Sequence, residues 1–269
     1  MASLRRLLSI SVTICVLFVL LLPFGCRRVI YPFREAPAQP AGIPRTVAKL
    51  LPTEGNAPEI EVWIAEPLGD RPVVVYFMGN AGNLAYSGPR INEFVVNGFG
   101  FAGMAYRGGG GRPGEPSEVA LKADAHRLYR ELDQLFEASV PPERRVIYGS
   151  SLGTGIATDL AASVVERGVI LETPFSRLCD IAEHRYTAVP ACLVMQNERY
   201  DSIEKIADIG SPLLIQHGER DEIIPFALGQ RLFEAASEPK TFIGYPEGNH
   251  NDLRLFGAGV EAIQFMESL

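Results

Sequence analysis

The stretch Val146–Gly155, VIYGSSLGTG, runs from apolar residues into two serines between glycines and then into small residues. G-x-S-x-G after a strand and before a helix is the layout of a nucleophile elbow, which thrusts the Ser151 hydroxyl out of a tight turn. A serine that merely caps the helix would give the same letters. A serine hydroxyl attacks a carbonyl only if a base takes its proton and another group orients that base. Four histidines are available. His126 falls inside the helical pattern LKADAHRLYRELDQL, His184 lies in an irregular stretch, and His217 ends an apolar run, where it packs rather than reacts. His250, in YPEGNHNDL, follows the last apolar run in a loop with little core to build, which makes it the best placed base. By the same reasoning Asp221 in HGERDEIIP is the acid best placed to hold the imidazole. Glu219, Glu222 and above all Glu172, which also ends a strand, are its rivals. An acyl-transfer site also needs donors for the developing oxyanion. The N–H of Leu152, directly after the serine, is one, and that of Asn80 in GNAGN is the other.

These residues need a frame that places three loops together. Short apolar runs at IEVWIA, VVVYFM, GFAGMAY, RVIYGS, GVILET, PLLIQH and KTFIGY predict strands, with a first edge strand over Thr46–Leu51. Between most of them, helical spacing predicts helices over 117–137, 152–166, 226–236 and 253–266. Strands alternating with helices predict an α/β fold with a mainly parallel central sheet covered by helices on both faces. In such sheets ligands sit beyond the carboxyl ends of the strands, where Ser151, Asp221 and His250 all fall. The segment 175–208, after the sixth strand, is apolar and irregular, and is read either as a small lid over the elbow or as an ordinary crossover.

With 269 residues, 47% hydrophobic and 21% charged, the chain suits one sizeable domain. Residues 1–34 hold five arginines and no acid, so the remainder carries 20 basic against 32 acidic residues, a balance that argues against a nucleic-acid partner. Leu7–Cys26 contains no charge. As a helix it would be about 30 Å long, the thickness of a hydrocarbon core. Residues 1–30 therefore read as a membrane anchor or signal segment, residues 31–58 as a proline-rich tether and edge strand, and residues 59–269 as the catalytic domain. The expected placement is membrane-anchored through a single N-terminal helix with an exported, periplasmic body, or alternatively lipid attachment at Cys26. Cys179 and Cys192 are the only cysteines in the body, and are either bridged or two small buried apolar residues.

The segments GNAGN, YRGGGGRPGEPSE, GSSLGTG, LETPFS, DSIEKIADIGSPLLIQHGERDEIIPFALGQRLFEAA and GNHNDL resemble the membrane-anchored serine hydrolases of the α/β-hydrolase superfamily. That branch includes bud-emergence hydrolases, protein depalmitoylases, lysophosphatidylserine lipases and bacterial relatives. The similarity runs from about Pro72 to Leu253, and its stretch 201–235 is far more specific than G-x-S-x-G. It implies the α/β-hydrolase fold, a Ser151–Asp221–His250 triad and an N-terminal anchor. This chain departs from the pattern at Met78, where the family has histidine before GNAGN, and at Ala105, where it has aspartate before YRG. The expected activity is hydrolysis of carboxylic esters or thioesters through an acyl-enzyme on Ser151, with no metal or organic cofactor. A small-molecule or lipid acyl substrate and the membrane are the expected partners. The alternatives are an aminopeptidase-like serine peptidase and a non-catalytic tethered binding protein on the same fold.

Overall fold

The computed structural model describes residues 27–33, 39–52, 55, 58–185 and 190–269. Its strands are β1 (Thr46–Leu51), β2 (Ile60–Ala65), β3 (Val73–Phe77), β4 (Gly100–Met104), β5 (Arg145–Ser150), β6 (Gly168–Glu172), β7 (Leu213–Gly218) and β8 (Lys240–Tyr245). They form one sheet in the order β1-β2-β4-β3-β5-β6-β7-β8, antiparallel at β1–β2 and β2–β4 and parallel from β4 onward. The expected mainly parallel sheet is therefore present, with every apolar run in its expected place. Strands β3, β5, β6 and β7 are buried at every residue, as a sheet covered on both faces requires.

The helices of the fold include α1 (Gly88–Val96), α2 (Glu118–Arg130), α3 (Leu152–Ala161), α4 (Leu178–Arg185), α5 (Ala191–Val194), α6 (Phe226–Ala235) and α7 (Ala258–Ser268). Alternation along β5 assigns helices to faces. Phe94 of α1 packs its ring against Tyr148, whereas Ala157 of α3 closes on the next residue, Gly149, from the other side. Helix α7 touches α1, and α2 packs on α3, so each face carries its own helical layer. Helix α1 was not expected. Gly88-Pro89 reads as a turn, but a proline in the first helical turn loses no hydrogen bond, and Ile91, Phe94 and Val95 make one buried stripe. The expected helix over 253–266 is divided, because Gly257 takes a left-handed φ of 98° between a 3-10 turn and α7.

The expected localisation requires a correction. Among the described residues no helix is long and apolar enough to cross a membrane. The longest, α2, has 13 residues and spans about 20 Å against a hydrocarbon core of about 30 Å. The run Leu7–Cys26 and the alternative attachment point Cys26 lie outside the described residues. Residues 27–33 are seated on the body. Glu198, almost fully buried, accepts hydrogen bonds from Arg27 Nε at 2.6 Å, from the backbone N–H of Glu118 at 2.8 Å and from the Tyr31 hydroxyl. A buried carboxylate satisfied three times in this way clamps the segment in place.

Packing at the β5–α3 junction has no slack. A Cβ on Gly153 would lie 2.1 Å from the Phe77 carbonyl oxygen, and one on Gly149 would lie 2.6 Å from the Gly153 carbonyl oxygen. Gly153→Ala is expected to destabilise the fold by about 3 kcal/mol or more, as overpacking against immobile backbone does. Gly210→Ala, where nothing lies within 4 Å, should change stability by less than about 0.5 kcal/mol. Paired urea titrations check both, and equal midpoints for the two variants would refute this account of the junction.

Candidate active site

Ser151 stands between β5 and α3 with φ 52° and ψ −120°, backbone values that few non-glycine residues adopt. Its N–H donates to the Glu172 carbonyl at 2.9 Å, and its own carbonyl accepts from the N–H and hydroxyl of Thr154 at 2.9 and 2.6 Å. These contacts hold the turn open. The serine side chain makes no capping bond to α3, so the ordinary explanation for a serine at a helix start does not apply. Gly79, after β3, passes so close that a Cβ there would lie 3.3 Å from the Ser151 Cβ.

The loops after β7 and β8 bring the other two residues to it. A Cβ on Gly218 would meet the Gly248 carbonyl oxygen at 2.4 Å, an approach only glycine permits. That crowding sets Asp221 beside His250. His250 Nε2 lies 2.9 Å from Ser151 Oγ, and His250 Nδ1 lies 2.8 Å from Asp221 Oδ2. The other carboxylate oxygen, Oδ1, accepts from the N–H groups of Ile223 and Ile224, each at 2.8 Å. Burial works against ionised Asp221, but hydrogen bonds from His217, His250 and the Ile224 N–H outweigh it and hold the carboxyl well below the usual range. The carboxylate is thus available to steady an imidazolium. The imidazole in turn stands within reach of the serine proton.

The remaining candidates are placed elsewhere. Glu172 is buried under α1, bound to Arg90 and accepting from the Tyr148 hydroxyl at 2.5 Å. It makes no contact with His250. His126 is partly exposed against Asp159, and His184 is exposed on α4. His217 does pack, edge-on against Phe226, but it has a second contact that residue-by-residue reading missed. Its Nε2 lies 3.0 Å from the Ile224 carbonyl and 3.4 Å from Asp221 Oδ2. Both neighbours are acceptors, so Nε2 carries the hydrogen. Its place in the sequence, four residues before Asp221, was the available signal. Tyr106 was also missed: its hydroxyl donates at 2.7 Å to the carbonyl of Met78, bracing the strand end that leads into Gly79 and Asn80.

A cavity of about 620 Å³ opens over the serine. Asn80, Ser151 and Leu152 lie in its wall with Val29, Ile30, Phe175, Leu178, Ile181, Ala182, Arg185, Met195, Ile223 and Ile224. Described residues of the segment 175–208 thus form part of the cavity wall. Cys179 and Cys192 form a disulfide that ties α4 to α5, with Cα atoms 4.8 Å apart. Val29 and Ile30 also line the cavity, which the reading of residues 1–30 as an anchor or signal did not anticipate. Among the described residues, one group has metal-ligand spacing, Cys179, Asp180 and Cys192, and both its sulfurs are committed to the disulfide.

No family model matches the chain. An uncharacterised protein of Mycobacterium tuberculosis is 34% identical over 194 residues, 71% of this chain and 67% of that one. The lysophosphatidylserine lipase ABHD12 of Danio rerio is 31% identical over 224 residues, covering 76% of this chain and 57% of its own. The human alpha/beta hydrolase domain-containing protein 17B is 34% identical over 159 residues, 59% of this chain and 53% of that protein. The chain therefore spans little more than half the length of these two named relatives. Among solved structures, the Pyrococcus furiosus esterase Pf2001 superposes with a TM-score of 0.68 at 14% identity, covering 88% of this chain and 98% of its own, which speaks to the fold. With the sheet order, the elbow after β5 and these relatives taken together, the chain belongs to the α/β-hydrolase superfamily.

Proposed function

We propose that this hydrolase cleaves carboxylic esters or thioesters through an acyl-enzyme on Ser151. The observation that carries the reading is the unbroken hydrogen-bonded chain from Ser151 Oγ through His250 to Asp221 in the wall of a mainly apolar cavity. In the first half-reaction Oγ bonds to the acyl carbon while His250 Nε2 takes its proton. The tetrahedral oxyanion accepts from the N–H groups of Asn80 and Leu152; Leu152 opens α3, where the first N–H groups have no intrahelical acceptor. The bond to the leaving oxygen or sulfur then breaks, and His250 returns the proton to it. In the second half-reaction water attacks the acyl-enzyme, again giving a proton to His250, and the carboxylic acid leaves as Oγ regains its hydrogen. Asp221 holds the ring in the tautomer with Nδ1–H throughout.

The names of the relatives support an ester substrate, since one is a lipase and the superposed structure is an esterase. The peptidase alternative needs a carboxylate beside the elbow to hold a substrate amine. Glu172, the residue suggested for that purpose, is committed to Arg90 and Tyr148 and does not line the cavity.

An alkyl fluorophosphonate should label the protein once, on Ser151, and Ser151→Ala should abolish labelling; labelling that persists would refute the nucleophile. On 4-nitrophenyl esters, His250→Ala should lower kcat by at least about three orders of magnitude, and Asp221→Asn by about two to four. His126→Ala should stay within about threefold of wild type. Glu172→Gln should lower the unfolding midpoint while its folded fraction keeps most of its turnover. Steady-state kinetics on thermally characterised variants decides this, and loss of turnover in folded Glu172→Gln with retention in Asp221→Asn would exchange the two acids.

A further inference from the structure

The wall of the cavity over Ser151 contains one charged side chain among its described residues, Arg185. It ends a stripe on α4. Leu178, Ile181, Ala182 and Arg185 recur at the i, i+3, i+4 and i+7 spacing of a single helix face, and all four line the cavity. From Leu178 to Arg185 the helix rises about 10 Å. An apolar track of that length therefore finishes at a guanidinium.

That guanidinium is free among the described residues. The other arginines of the segment 175–208, Arg177 and Arg199, both pair with Asp201, at 3.3 and 3.0 Å, and Arg231 of α6 lies 3.6 Å from Asp180. The acids of α4 itself are committed as well, Asp180 to Arg231 and Glu183 to the N–H of Cys192 at 2.9 Å. Arg185 has no hydrogen bond and no ion pair with any described residue. A cation in the last turn of a helix is favoured by the helix dipole, but that preference does not require the residue to stand in a cavity wall.

We propose that Arg185 reads a negative charge on the substrate, a carboxylate or a phosphate, separated from the scissile ester or thioester by an apolar spacer that lies along α4. The inference rests on the reading of Ser151 as nucleophile and adds the substrate class. Apolar walls bind a chain in proportion to its buried area and discriminate poorly among chains. A guanidinium adds bidentate geometry for carboxylate or phosphate, and because Arg185 is exposed as well as lining the cavity, solvent screens part of that attraction. Because the cation is fixed at one end of the track, the preference depends on spacer length.

The charge has two possible positions, on the acyl part or on the leaving part, and a pair of substrate series distinguishes them. The first compares 4-nitrophenyl hemiesters of dicarboxylic acids of increasing length with neutral 4-nitrophenyl esters of matched length. The second compares acyl esters of 3-hydroxypropyl phosphate with the same acyl esters of propanol. In one of the series wild type should favour the anionic member by about tenfold in kcat/KM, chiefly through KM, with an optimum at one spacer length. That ratio should fall to near one in Arg185→Gln, fall below one in Arg185→Glu, survive in part in Arg185→Lys, and shrink in high salt. Arg28→Gln provides the control, since Arg28 is likewise without a partner among the described residues but lines the separate cleft of about 540 Å³. Its ratio should match wild type. Turnover of neutral esters with no charge preference in either series overturns the inference while leaving the hydrolase reading in place. So does a preference that survives Arg185→Gln, or one lost equally in Arg28→Gln. Failure to turn over any ester, neutral or charged, overturns the inference together with the reading of Ser151 beneath it.

Discussion

Backbone crowding around Ser151 is the constraint on which the rest of this molecule turns. The φ of 52° is tolerated because the surrounding atoms leave the turn no alternative: Gly149 and Gly153 press against neighbouring backbone with no room for a Cβ, and the serine N–H is bound to the carbonyl of β6. Strain of this kind costs about 1–3 kcal/mol and persists only when its surroundings over-determine it. The sheet supplies that surrounding. β5 is flanked by β3 and β6, so the elbow is gripped from one side by the Phe77 carbonyl and from the other by Glu172. Moving either neighbour would release the turn and lower the hydroxyl out of reach of His250.

The same grip explains why so much polarity is buried directly beneath the site. Glu172 continues β6 just where its carbonyl holds Ser151, and its side chain joins Arg90 and Tyr148 under α1. A carboxylate at that depth would be costly alone, and the guanidinium and phenol make it tolerable. On the outer side, Glu198 performs the equivalent task for residues 27–33, and through them for the part of the cavity wall formed by Val29 and Ile30. The cavity over Ser151 is thus walled in part by three pieces distant in sequence: the segment before β1, the disulfide-tied pair α4 and α5, and the loop after β7.

Met78 and Ala105, where the family pattern has histidine and aspartate, have local compensation at the first position. The Met78 side chain is buried in the core, and its carbonyl is held by the Tyr106 hydroxyl, so the turn into Asn80 keeps a hydrogen-bonded support. Ala105 keeps only a backbone bond, to the Glu61 carbonyl at 2.9 Å. Nothing in the structure explains why alanine stands there.

Read without coordinates, the chain already specifies the strands, the alternation that makes the sheet parallel, and the three strand ends that carry Ser151, Asp221 and His250, because periodicity, turn residues and chain order are local or linear properties. Helix α1 escaped that reading, since Gly88-Pro89 signals a turn whether or not a helix follows. Between Asp221 and Glu172 the letters favoured Asp221 without removing its rival. Both acids end strands, and the choice depends on which loops become neighbours and on which face a side chain emerges: β8 lies beside β7 and carries His250 to Asp221, while the pleat of β6 turns Glu172 down to Arg90 and Tyr148. The contact of His217 with Asp221, the place of Val29 and Ile30 in the cavity wall, and the lack of a partner for Arg185 among the described residues were likewise decided only in three dimensions. Each is a distance between groups that chain separation does not encode, fixed by how strands and helices pack rather than by what any one segment prefers.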